Sequence, residues 1–407
     1  MIQEIDGGIC SVEGVRAFGI KKGKYGLGII LADGPAAGVF TRNKVRAAPV
    51  IVTEKNLSEN GGYLSGIIVN SGNANAFTGE RGISDAKEMI RLLAEKKEID
   101  EKYVAVASTG IIGKPLDIDW IRDNIDFVLE SLRSDEIGNS TVMKSIMTTD
   151  TVEKECAVEV NAKVGKYRIG GICKGAGMIE PNMGTMLAFI YTDAVISSVS
   201  LDKCLKESVN ESFNMVVVDG DTSTNDMCLI TSTGCSKVKV DLDEEDLTVF
   251  RGALDFVLKN LAKKIARDGE GATRMIEANV SGAKTKDDAI LASKAIVRSP
   301  LFKSAIFGQD PNWGRAVCAI GYSGADFDQN EISLSFSDGI DIVEIVKSGK
   351  GPEFFEKPGE HLEKLKNIMK AKTVYVHVDL AAGEEDATAW GCDLTYDYVK
   401  INADYTT

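Results

Sequence analysis

Residues 170–194 read GGICKGAGMIEPNMGTMLAFIYTDA, and the two halves of this stretch obey different rules. The first half, from Lys174 to Gly184, carries glycine at 175, 177 and 184 and proline at 181. Glycine adopts backbone angles that other residues avoid, and proline removes an amide donor, so this half is not regular helix or strand throughout. The second half, from Thr185 to Asp193, reads as a strand. Met186, Ala188 and Ile190 point to one side, and Leu187, Phe189 and Tyr191 to the other. Both sides are apolar, so the strand is expected to be covered on both faces. Thr185 stands where an irregular approach meets a rigid buried strand, a placement that would support a nucleophile. Threonine before an apolar strand is equally an ordinary strand former, and position alone does not choose. Gly175 and Gly177 do not make a phosphate loop, because the spacing is not GxxxxGK[ST].

The 407 residues suffice for two domains, or for one large domain with an appendage. Hydrophobic residues make up 44% and charged residues 27%, the balance of a soluble globular enzyme. A net charge of −14 and a pI near 4.9 argue against a general binder of nucleic acid or anionic membrane. No apolar run reaches membrane-spanning length, and the opening MIQEID is not a signal peptide, so a cytoplasmic location is expected. Cysteines stand at 10, 156, 173, 204, 228, 235, 318 and 392 without CxxC spacing, so they read as reduced thiols and indicate no metal site.

Short apolar runs at 15–19, 27–31, 37–41 and 49–53 read as strands joined by tight turns. A strand at 65–70 runs into SGNANAFTG at 71–79, a loop whose amide side chains suit turn chemistry. Ala86, Met89, Ile90 and Leu93 recur at helical spacing in a helix opening at Ser84. The strand at 103–107 ends at STGIIG, 108–113, which either turns the chain or offers backbone N–H groups and a hydroxyl to an oxyanion. A helix follows from Asp117. A hairpin pairs 156–160 with 167–170, and a helix starts near Ser200. The acidic run VDGDTSTND at 218–226 either binds a cation or caps and turns. A long helix spans 244–267 and stops at Gly269. Glu270 then sits at a helix exit, where an acid gains nothing from the helix dipole, and this points to a task for it. From about 281 a second lobe is expected, with a helix at 287–297, an irregular loop FGQDPNWGR at 307–315 and a strand at 373–380. The chain closes on a strand and a short polar tail, which would ordinarily fray. No internal repeat or low-complexity linker interrupts it.

The lysine–glycine run at 174–177, the Pro-Asn-Met turn at 181–183, Thr185 followed by Met-Leu, SGNANA, the Thr-Gly pair at 109–110, VDGDTSTND and FGQDPNWGR stand together in one order. In this the chain resembles, over essentially its whole length, the ornithine acetyltransferase family (glutamate N-acetyltransferases, the ArgJ proteins). The resemblance implies an α/β fold of two stacked sheets between helix layers, with a smaller C-terminal lobe. It implies a domain over 1–280 that is cut between Gly184 and Thr185 into an α chain, 1–184, and a β chain, 185–407. The lobe over 281–407 would send its tail back to the site. Thr185 would be the nucleophile, Thr109 and Gly110 the oxyanion residues, and Thr148, Lys174, Glu270, Asn402 and Thr407 substrate contacts. The family usually has alanine before the threonine; Gly184 is smaller and freer, which leaves the cut possible. The implied partners are N-acetylornithine, glutamate and the protein's own α and β chains in an α2β2 heterotetramer. No nucleic acid, membrane or cofactor is implied, and acetyl-CoA enters only as a co-substrate of a bifunctional enzyme.

The residue inventory fits such chemistry. His361 and His377 are the only histidines, and neither belongs to a motif, so a Ser-His-Asp or Cys-His triad is poorly supported. Cys173 reads as a buried thiol. An N-terminal threonine supplies its own base, because an α-amine has an ordinary pKa of about 7.7–8.0. Two other readings stay open: a self-cleaving amidase or aminopeptidase that passes the acyl group to water, and a binding protein that keeps the fold without the reaction.

Overall fold

The computed structural model describes residues 1–180, 186–351 and 360–404, and its chain divides into two compact units. The first holds Met1–Asn214 and Asp221–Leu261; the second holds Met215–Gly220 and the chain from Ala262 onward. In chain order the first unit comprises β1 (Ile2–Ile5), β2 (Arg16–Lys22), β3 (Tyr25–Phe40), α1 (Ala48–Glu59), β4 (Tyr63–Asn73), α2 (Gly79–Lys97), β5 (Val104–Ile111), α3 (Ile118–Glu130) and α4 (Glu136–Ile146). Then follow β6 (Lys154–Ala162), β7 (Gly165–Lys174), β8 (Leu187–Thr192) and α5 (Ser198–Asn210). The second unit supplies β9 (Val216–Val217), the first supplies β10 (Met227–Ser232), and α6 (Glu244–Arg267) contains the division. The second unit continues with β11 (Met275–Ala283), α7 (Lys286–Arg298), α8 (Pro300–Phe307), α9 (Trp313–Gly321), β12 (Ser333–Ser337), β13 (Ile342–Val346), α10 (Glu360–Ile368), β14 (Thr373–Asp379), β15 (Glu385–Cys392) and α11 (Tyr396–Asp404).

Two mixed sheets with helices around them make the fold α/β. In the first unit the order is β1-β6-β7-β8-β10-β3-β4-β5, with β2 also paired to β3. The long β3 joins two regions of this sheet. Its first part pairs with β2 and β4, and its last five residues pair with β10. Side chains alternate along it: Leu27, Ile29 and Leu31 join a core with α2 and α3, while Ile30, Ala32 and Ala36 join a core with Leu187, Phe189, Tyr191, Met227 and Leu229. Both faces of β8 are buried, as its doubly apolar sequence requires. Full burial of a side chain such as Phe189 contributes about 1.5–3 kcal/mol.

The second sheet has the order β13-β12-β14-β11-β15-β9. β14 alternates cleanly, with Val374, Val376 and Val378 buried. β11 lies between β14 and β15, so residues 275–280 belong with the second unit; the division therefore falls at Leu261, ahead of the expected 280/281 boundary.

Five local expectations need correction: the runs at 27–31 and 37–41 are not two strands joined by a turn but parts of the single strand β3, and four more follow. Residues 49–53 are not a strand but the first turns of α1, opened by extended Ala47 and by Pro49 in the first turn. The run Val50-Ile51-Val52-Thr53 favours strand by propensity, but propensity is a weak prior. Val50 and Val52 fill the two cores of this unit. Thr53 donates to Val106 O at 2.7 Å and accepts from Val106 N at 2.8 Å, which covers the outer edge of β5. Second, β5 does not stop at 107 but continues through Ser108, Thr109 and Gly110 to Ile111, because β4 extends beside it. Third, 307–315 is not one loop: it ends α8 and starts α9. Fourth, Tyr396–Asp404 form the helix α11, where the sequence suggests a polar tail after a strand; 405–407 lie outside the described residues.

Candidate active site

Thr109 and Gly110 lie in the last turn of pleat of β5, paired with Ser71 and Gly72 of β4. Gly110 has φ 131°, and a Cβ there would come within 2.5 Å of the Asn73 nitrogen. Only glycine fits this close approach. The flanking Ser108 is fixed from two sides. Its hydroxyl donates to Asn70 Oδ1 at 2.6 Å, and its carbonyl accepts from Asn225 Nδ2 at 2.8 Å. Asn225 also donates to Ala74 O at 2.6 Å, so VDGDTSTND clamps both SGNANA and the oxyanion candidates. The amides of SGNANA otherwise hold their own loop: Asn75 N donates to Asn73 Oδ1 at 2.7 Å, and Asn75 Nδ2 to Gly82 O at 2.9 Å.

Lys174 ends β7, is 8% exposed, and points its Nζ at Thr109 Oγ1, 3.4 Å away. Three residue positions named by the resemblance are thus gathered in one unit, 65 residues apart along the chain for Lys174 and Thr109. Thr148 is adjacent through Asp150, whose Oδ2 accepts from Thr148 N at 3.0 Å. Asp150 Oδ1 accepts from Lys154 Nζ at 2.8 Å and from Gly175 N at 2.6 Å. The side chains of Asp150 and Lys154 are fully buried. Burial opposes ionisation of Asp150, but the ammoniums of Lys174 and Lys154 outweigh it and hold the carboxyl well below the usual carboxylate range. Lys21 joins the group, donating to Ser71 Oγ at 2.7 Å and to the Met147 carbonyl. Its ammonium is pushed down to about 8, by burial first and by the charge of Lys174 second, with Asp150 opposing. The ammoniums of Lys21, Lys154 and Lys174 are thus all set around the Asp150 carboxylate. Lys174 beside the Thr109 hydroxyl suits an anionic group, whether a substrate carboxylate or a developing oxyanion.

Sequence reasoning stopped at the polar cluster 148–151 and did not select Asp150, Lys154 or Lys21. Asp150 and Lys154 stand at i and i+4 outside any helix, so the spacing alone does not pair them, and their burial is a tertiary property.

In the second unit, Glu270 is buried at a turn where Gly271 has φ 70°. Asn402 of α11 donates its Nδ2 to Glu270 Oε2 at 2.8 Å and to Tyr398 O at 3.0 Å. Thr395 Oγ1 donates to Gly271 O at 2.8 Å, and Tyr398 OH to Asp219 Oδ2 at 3.4 Å, which seats α11 against the turn. A Cβ on Gly271 would meet Tyr398 N at 2.6 Å. Glu270 and Asn402 are thus brought together from 132 residues apart. Gly184, Thr185 and Thr407 lie outside the described residues. Among the described residues no group of three or more His, Cys, Asp or Glu side chains could hold a metal ion, and no helix is long and apolar enough to cross a membrane.

The ArgJ family model matches residues 12–407. A glutamate N-acetyltransferase of Methanosarcina acetivorans is 56% identical over 406 residues, covering 100% of both chains. An arginine biosynthesis bifunctional protein ArgJ of Archaeoglobus fulgidus is 47% identical, covering 98% of this chain and 100% of its own. Among solved structures, the arginine biosynthesis bifunctional protein ArgJ of Bacillus halodurans is 43% identical with a TM-score of 0.50, covering 54% of this chain and 99% of that one. With the motifs in order and full-length identity at this level, the chain belongs to the ArgJ family.

Proposed function

We propose that the chain carries an acetyl group from N-acetylornithine to glutamate on Thr185, after cutting itself between Gly184 and Thr185. In the cut, Thr185 Oγ attacks the Gly184 carbonyl carbon, the C–N bond breaks as its nitrogen gains a proton, and water hydrolyses the resulting ester. The freed α-amine, with an ordinary pKa of about 7.7–8.0, then serves as base for its own hydroxyl. Thr185 takes the acetyl group from N-acetylornithine, and ornithine leaves with the proton. Glutamate's amine next attacks the acetyl ester and restores Thr185. The Thr109 hydroxyl and Gly110 N–H stabilise the oxyanion, and Lys174 pairs with a substrate carboxylate. Glu270 with Asn402 holds a cationic amine, and Thr148 and Thr407 complete the substrate contacts. An α2β2 assembly and a cytoplasmic setting belong to the same proposal.

The observation that carries this reading is the contact of Lys174 with Thr109 beside Gly110. The solved Bacillus halodurans chain adds support: it spans 54% of this one while matched over 99% of its own length, as a β chain starting at 185 would. The test uses N-acetylornithine labelled in its acetyl group. Label should reach glutamate when glutamate is present, and residue 185 when it is absent. The Thr185→Ala protein should stay whole and inactive. Label released only as acetate would favour the hydrolase. Several relatives are named bifunctional ArgJ proteins. Acetylation of glutamate by acetyl-CoA without acetylornithine would assign that second activity here too.

A further inference from the structure

Lys21 lies outside the motifs, and the proposed reaction does not use it. Strand register gives it a place. Lys21 of β2 pairs with Gly26 of β3, Gly26 with Ser71 of β4, and Ser71 with Thr109 of β5. Directly paired residues point to the same face of a sheet, so these residues form a row that ends at the oxyanion candidate. Gly26 puts no side chain between its neighbours, and Lys21 Nζ reaches across it to donate to Ser71 Oγ at 2.7 Å. The same gap admits the end of α4: a Cβ on Gly26 would lie 1.9 Å from Ser145 O. Ser71 Oγ donates to that carbonyl at 2.6 Å.

α4 ends at Ile146, and Met147 leaves it with extended backbone, φ −63° and ψ 147°. The last carbonyls of a helix lack partners within it. Here Ser71 donates to the carbonyl of Ser145, and the Lys21 ammonium donates to the carbonyl of Met147. A cation at a helix C-terminus is also favoured by the helix dipole. The peptide group between Met147 and Thr148 is thereby held from both sides. Its carbonyl accepts from Lys21, and its N–H donates to Asp150 Oδ2 at 3.0 Å. Asp150 is in turn fixed by Lys154 Nζ and by Gly175 N. One peptide is thus clamped between a cation and an anion, and the side chain that follows it is Thr148. The cation also rests on Ser71, which pairs with Thr109, so a single side chain ties the Thr148 peptide to the oxyanion strand.

We propose that Lys21 is a positioning residue for substrate binding: by holding the Met147 carbonyl over Ser71, it fixes Thr148 beside the strand of Thr109. This rests on the reading of Thr148 as a substrate contact. The experiment is a double-mutant cycle of Thr148→Ala with Lys21→Met, which keeps the unbranched stem and removes the donors. Lys21→Thr takes its place if the methionine variant does not fold. The readouts are kcat and KM for N-acetylornithine on processed protein, fragment appearance on denaturing gels, and thermal midpoint. Each single change should raise KM about tenfold and keep kcat within about threefold of wild type, as when binding common to ground and transition states is lost. Because Lys21 acts through Thr148, the double variant should have a KM within about twofold of Thr148→Ala alone, whereas independent groups would multiply their effects. Multiplied effects overturn the proposal, since Lys21 would then act on the substrate without Thr148. A lysine that only caps α4 would lower the thermal midpoint and leave KM unchanged, which overturns it too. So does a lysine variant that folds and is not cut, because its defect then lies in the cleavage. Thr148→Ala with a wild-type KM defeats the substrate-contact reading, and this inference with it. A raised KM in Thr148→Ala beside an unchanged KM in the lysine variant defeats the role of Lys21 alone.

Discussion

Thr109 and Gly110 differ in how replaceable they are. Thr109 contributes a hydroxyl, so Thr109→Ala should fold normally and lose about 10²–10³ in kcat, the usual effect of removing one oxyanion donor. Steady-state kinetics with an unchanged kcat would remove it from the mechanism. Asp150 matters for stability as well as for charge. Asp150→Asn removes the carboxylate that accepts from the buried Lys154 ammonium, and breaking such a buried pair costs about 3–5 kcal/mol. The pH dependence has a fixed sign. Because the folded carboxyl lies below its ordinary value, its contribution is present above about pH 3.9 and is lost as pH falls through the depressed folded value. Thermal midpoints of the two proteins should therefore differ by a constant amount above pH about 5 and converge in more acid solution. A gap that persists undiminished into strong acid would mean that the pair does not stabilise the fold by charge.

At the level of elements, α1 and β5 form one unit. β5 is the last strand in its sheet, and Thr53 and Asn56 of α1 satisfy its outer backbone groups at Val106 and Val104. Thr53→Val keeps volume and helix but strands the amide and carbonyl of Val106. It should cost about 1–3 kcal/mol, read as a lower urea midpoint. No shift would mean that water or a relaxed backbone replaces the hydroxyl. α11 is the corresponding case in the second unit. Its Tyr398 and Asn402 lie one turn apart and face Asp219 and Glu270. Asn402→Ala should raise KM for N-acetylornithine and leave self-cleavage intact; kinetics indistinguishable from wild type would withdraw Asn402 from substrate binding.

For the whole molecule, sheet order constrains what a cut at 184/185 can do. β8 and β10 come after the cut, yet they lie between β7 and β3, which come before it. β8 pairs with β7 over six residue positions, from Ile169 opposite Thr192 to Lys174 opposite Leu187. The fragments 1–184 and 185–407 should therefore remain one particle in native mass spectrometry, and separate only in denaturant. Fragments that part freely in native buffer would show that this sheet does not survive the cut.

Much of this was legible in the residues. The helix at 244–267 follows from unbroken apolar spacing, and its predicted ends match those of α6. The double apolar face of 186–191 announced a central strand, because such a run is stable only when covered on both sides. The motif order identified the family, and motifs are local strings that need no fold to be read. Other features depended on partners far away in sequence. Residues 49–53 are strand-like in isolation and become helix because two cores take their apolar side chains. The tail at 396–404 looked loose, and it became a helix with Asn402 on Glu270 only once Gly271 and Thr395 supplied a seat. The chain alone showed Asp150, Lys154 and Lys21 as three charged residues among many. Their importance lies in burial and in the charges set around them, and both are decided when the strands that carry them come to lie side by side.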